Sequence, residues 1–104
     1  MKVSEITYKD IANYIRLTEV SEEEKAFLTS LISIAKKFIE GYTGVKDLDL
    51  HEDFVIVVYI LCQDMYDNRV LYVDKTNLNK VVEAILGMHS VNLLWLMQGN
   101  IIKK

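Results

Sequence analysis

The segment Phe54-Val-Ile-Val-Val-Tyr-Ile-Leu-Cys62 has no polar face. A stretch that is apolar all round must be enclosed by other parts of the chain, because water would otherwise meet it on every side. The fold is therefore organised around these residues. The tetrapeptide Tyr66-Asp67-Asn68-Arg69 follows closely and marks where the backbone leaves that centre. Arg69 is one of two arginines, the other being Arg16.

A chain of 104 residues suggests one domain, with a core from about 7 to 88 and an apolar C-terminal tail at 89–104. Such a chain buries roughly 65% of the surface its unfolded form exposes, enough for one core. Hydrophobic residues at 51% and charged residues at 26% describe a globular chain rather than a disordered one. No apolar run reaches the ~18 residues of a membrane helix. The start, Met1-Lys2-Val3-Ser4-Glu5-Ile6, lacks the apolar stretch of a signal peptide, so folding inside a cell is expected. The single cysteine, Cys62, forms neither an intramolecular disulfide nor a zinc site, and in an apolar run it reads as an inert core thiol. The net charge of −3 and the scattered lysines argue against tight gripping of phosphates.

The absence of proline and the presence of only four glycines favour helices. Thr7 is placed to cap a first short helix, with Ile6 and Ile11 as a staple, ending near Leu17. Ser21-x-x-Glu24 is a capping box, and Glu22, Glu23 and Glu24 suit a helix N-terminus. From Phe27 to Tyr42 apolar residues recur at three- and four-residue spacing, and Gly44 is placed as a left-handed C-cap. A third helix is expected from Asp49. Its β-branched residues make a strand the rival, even a hairpin of 57–62 with 70–73. Gln63-Asp64 would interrupt that strand, so the helix is favoured. A fourth is expected from Thr76 or Asn77, with Leu78, Val81, Val82, Ile85 and Leu86 inward and Gly87 at its end. The fold class that results is all-α, a small bundle of four to five helices.

The candidate sites are modest in chemistry. Asp47, Asp49, His51, Glu52 and Asp53 could hold a cation, but helix-capping acids account for them without one. His51 and His89 lie far apart in sequence and lack the spacing of a metal pair, so no metal ligands are assigned and no cofactor is expected. Asp64 and Asp67 could serve as paired acids, but no nucleophile or phosphate loop accompanies them in the sequence. The tetrapeptide itself can be a helix end, with Asn68 left-handed and Arg69 bonding the last carbonyls. The tail residues Leu93, Leu94, Trp95, Leu96 and Met97 exceed what four short helices cover. They mark an interface, with Leu94, Trp95 and Met97 as its contact residues, or fold back as a fifth helix.

The order of elements, the turn Ile39-Glu40-Gly41-Tyr42-Thr43-Gly44 and the ending Met65-Tyr66-Asp67-Asn68-Arg69 resemble the small head–tail connector proteins of tailed phages and prophages, often labelled DNA-packaging proteins. The resemblance covers roughly residues 7 to 95, with Tyr42, Thr43, Gly44, Tyr66, Asp67, Asn68 and Arg69 as its signature. It implies a non-enzymatic structural protein. Copies of the chain would form a homo-oligomeric ring below the portal, touching portal and tail or neck proteins. DNA would pass through the lumen without sequence-specific binding, and no membrane is involved. The implied location is the virion neck, or the host cytoplasm during assembly. One rival is a small helical bacterial regulator that acts as a dimer through protein–protein contact. Another is a helix-turn-helix protein, which a gel shift at low salt would detect.

Overall fold

The computed structural model describes residues 1–90. Residues 91–104 of the expected apolar tail, with Leu94, Trp95 and Met97, lie outside the described residues, whereas His89 and Ser90 lie within them. The described chain is all-α: helices α1 (Tyr8–Tyr14), α2 (Glu22–Thr43), α3 (Phe54–Asn68) and α4 (Lys80–Met88), joined by 3₁₀ turns at Val3–Glu5, Leu48–Leu50 and Lys75–Asn77. None of these helices is long and apolar enough to cross a membrane.

The β-branched segment is helical. Phe54, Val57, Val58, Leu61, Cys62 and Met65 are buried, following the three- and four-residue rhythm of one helix face. Val55, Tyr59 and Ile60 are partly buried on the remaining sides, whereas Ile56 is 38% exposed, so the segment is not enclosed all round as its composition suggests. Burial beats the modest strand preference of Val and Ile, since each fully buried large apolar side chain contributes about 1.5–3 kcal/mol. Helix α3 packs against α1, α2 and α4, which makes it the centre of the bundle. Leu28, Leu31, Ile32, Ala35 and Ile39 of α2 supply the facing wall. The core reaches back to Val3 and Ile6, earlier than the expected boundary at residue 7.

Four boundaries differ from expectation. Helix α1 ends at Tyr14, with Arg16 left-handed (φ 64°), rather than running to Leu17. Asp49 does not cap α3. It sits in the 3₁₀ turn and accepts a hydrogen bond from the Ser4 N–H at 2.8 Å, tying the N-terminus to the α2–α3 connection. Helix α4 starts at Lys80, because Asn79 Oδ1 accepts from the Val81 and Val82 amides (2.8 and 3.3 Å), while Asp74 organises the preceding turn. Gly87 lies inside α4 rather than ending it, and Val81, expected inward, is 53% exposed.

Candidate functional site

Both signature motifs form helix ends. At the end of α2, the Thr43 hydroxyl donates to the Ile39 carbonyl (2.7 Å) and accepts from the Val45 N–H (3.1 Å). Gly44 turns left-handed (φ 79°), a conformation glycine adopts without steric cost. The Tyr42 carbonyl accepts from the Ser90 hydroxyl at 3.4 Å, bringing the end of α4 to the end of α2.

At the end of α3 the roles within Tyr66-Asp67-Asn68-Arg69 differ from expectation. Asn68 is still helical and donates its side-chain amide to the Asp64 carbonyl (2.9 Å). Arg69 is the left-handed residue (φ 53°). The Val70 and Arg69 amides bond back to the Met65 and Tyr66 carbonyls. That pair of bonds is a Schellman motif with arginine where glycine is usual. Arg16 repeats it at the end of α1, with Leu17 bonded to Ala12 and Arg16 to Asn13. The chain's two arginines thus hold the same strained position on two helices.

The Arg69 guanidinium does not bond the last carbonyls. It lies over the rings of Tyr66 (4.4 Å) and Phe27 (5.4 Å), and sits 3.5 Å from Glu24 Oε1. This draws Glu24 out of the expected capping box. Ser21 Oγ still accepts from the Glu24 amide (3.1 Å), but the carboxylate turns to Arg69, leaving Glu24 Oε2 buried without a hydrogen-bond partner. Phe27 and Tyr66 stack with centroids 5.9 Å apart. The tetrapeptide therefore clasps the end of α3 to the beginning of α2.

A cleft of about 220 Å³ opens beside this clasp, lined by Leu61, Asp64, Asn68, Val73, Asp74, Asn77 and Leu78. The Asp74 carboxylate is held below its usual range by hydrogen bonds from Asn77 and Thr76. Burial, reinforced by Asp67, pushes the Asp64 carboxyl up. Asp64 lines the cleft and Asp67 does not, so the two acids contemplated as a pair do not face one space.

The third arrangement could not be read from sequence spacing. His51 and His89 stack with ring centroids 4.1 Å apart, and both set their rings against Phe54 in edge geometry, at 5.3 and 5.0 Å. His89 Nε2–H donates to Asp53 Oδ2 at 2.7 Å. Asp53 is the residue before α3, yet its carboxylate makes no capping bond to that helix; it is turned to His89 instead. One nitrogen of each histidine and one Asp53 oxygen all lie within 4.8 Å of one another, half-buried. The packing of α4 on the start of α3 creates this juxtaposition.

Comparison with protein-family models, curated proteins and solved structures gives no match.

Proposed function

We propose that this chain is the subunit of a phage or prophage head–tail connector, an adaptor and not an enzyme. It assembles with copies of itself into a ring below the portal, contacts portal and tail proteins, and lets DNA pass through the lumen without reading its sequence. Its place is the virion neck, reached from the host cytoplasm during assembly.

The observation that carries the reading is the outward face of α4. Val81, Ala84 and Met88 recur at helical spacing and are exposed, Val81 and Met88 at 53% and 68%, while Ile85 at their edge packs partly against the core. Val82 and Leu86 of the same helix are buried. A nine-residue helix with apolar residues on both its inner and outer faces suits a position between two bodies. A ring requires two different complementary patches on each subunit, because its contacts run head to tail. The exposed pair Leu71 and Tyr72, after α3, offers a second apolar surface. The tail residues Leu94, Trp95 and Met97 are further contact candidates. The net charge of −3 suits a conduit that must not hold DNA. The clasp at Arg69 gives the signature tetrapeptide a structural role within the subunit.

The test is a pull-down with the portal complex from the same phage genome. Retention of the chain is expected. Failure to bind that complex overturns the proposal, whereas a monomer in dilute solution does not, since the portal can nucleate the ring.

A further inference from the structure

We propose that His51, Asp53 and His89 form a binding site for a first-row divalent transition metal of the zinc class. Three observations carry it. First, the side chains come from two places in the fold: His51 and Asp53 from the connection into α3, and His89 from the end of α4. His51 follows the Leu48–Leu50 turn, Asp53 precedes α3, and His89 ends α4. Their ligand atoms nevertheless converge within 4.8 Å. Second, Asp53 occupies a helix-capping position without capping; its carboxylate is bonded to His89 rather than to backbone amides. Third, the group is half-buried against Phe54, which is itself fully buried. The ligands are thus held on a rigid support yet can still be reached from solvent.

The donor set names the metal class. Two imidazole nitrogens and one carboxylate oxygen suit zinc, cobalt or nickel, whereas calcium and magnesium take oxygen ligands. Zinc bonds of about 2.0–2.1 Å place tetrahedral ligand atoms about 3.3 Å apart. The 2.7 Å Asp53–His89 contact has to open by only about 0.6 Å when the cation replaces the shared proton. The stacked His51 ring has to bring its nitrogen inward by a rotamer adjustment. Three protein ligands leave a fourth position for water. The carbonyl end of α4, adjacent to His89, adds favourable negative potential. A bound metal fastens the end of α4 to the start of α3, a staple that stabilises only the folded chain. The inference is independent of the ring assembly.

The experiment uses the tag-free full chain, whose only imidazoles are His51 and His89. Calorimetric titration with zinc chloride is expected to show one ion per chain, and zinc is expected to raise the melting temperature. Cobalt(II) is expected to develop visible absorption bands of a low-coordinate site. His51→Gln and Asp53→Asn are expected to weaken zinc by more than the ~10–100-fold that loss of a mere supporting group costs. His51→Gln leaves the Asp53–His89 bond in place, so it separates metal loss from misfolding if His89→Gln fails to fold. Absence of stoichiometric zinc binding overturns the proposal. So does unchanged zinc affinity in the two variants, or equal stabilisation by calcium.

Discussion

Arg69 and Glu24 meet at 3.5 Å across the bundle, joining the C-terminal end of α3 to the first turn of α2. Arg69 is 59% exposed and Glu24 27% exposed, so solvent screens the pair and the stacking on Tyr66 and Phe27 shares the effect. Arg69→Ala is expected to destabilise by about 1 kcal/mol, with part of the loss disappearing at high salt. A buried-pair loss of roughly 3 kcal/mol is not expected at this exposure. Chemical denaturation at two salt concentrations measures both quantities. A double-mutant cycle with Glu24→Ala isolates the ionic part.

The two left-handed arginines make a paired test of backbone strain. A non-glycine residue at this conformation costs about 1 kcal/mol, which glycine largely removes, offset in part by the freer unfolded chain. Arg16 takes part in no ion pair among the described residues, so Arg16→Gly is expected to stabilise by roughly 0.5 kcal/mol. Arg69→Gly relieves the same strain but loses the clasp, and is expected to fall between wild type and Arg69→Ala. Melting temperatures of the three variants in one buffer give the ranking. Equal losses in Arg69→Gly and Arg69→Ala would show that the strain is unimportant.

The Asp49–Ser4 bond gives the N-terminal tether an acid dependence. Hydrogen bonds from Ser4 hold the Asp49 carboxyl below its usual 3.8. The folded value is the lower one, so the tether contributes fully above 3.8 and is lost as the pH falls through the depressed folded value. The protection factor of the Ser4 amide, referenced to its intrinsic exchange rate at each pH, is expected to fall over that acid range. Asp49→Ala is expected to abolish the protection at every pH.

Cys62 acts at the alkaline end. It is fully buried, and burial pushes its thiol from 9.0 up to about 12. The unfolded chain releases this proton near 9.0 while the folded chain keeps it, so stability falls as the pH rises between 9.0 and about 12. The expected slope from this group is about 1.4 kcal/mol per pH unit. Cys62→Ala removes that contribution, and comparison of the two denaturation series isolates it. Thiol reagents are expected to label the native protein only on the timescale of unfolding.

Substitutions on the outward face of α4 test the proposed ring assembly separately from folding. Val81→Lys and Met88→Lys replace exposed side chains and are expected to change stability by less than about 0.5 kcal/mol. Portal retention is expected to fall sharply in the double variant. An unfolded variant, seen by circular dichroism, would show that this face belongs to the core.

Much of the bundle was legible in the sequence because the relevant forces are local and periodic. Ser21 and Gly44 bracket α2 as their chemistry dictates, and the Phe54–Cys62 segment lies at the centre because most of its circumference is apolar, with Ile56 left facing solvent. Caps that draw on distant partners were not legible. Asp49 has the composition of a helix cap but is taken by Ser4, and Glu24 has the position of a capping-box acid but is taken by Arg69. Helix α4 likewise begins later than its apolar pattern suggests, since Asn79 offers the better cap.

The sequence alone determined the helical class, the long second helix and the central place of α3, because apolar periodicity and end-capping act over a few residues. The tertiary structure alone decided that Asp53, His51 and His89 would meet, that Arg69 would reach Glu24, and that α4 would show apolar residues outward. These relationships depend on how helices pack, and the energy that sets the packing comes from the whole core rather than from the residues brought together.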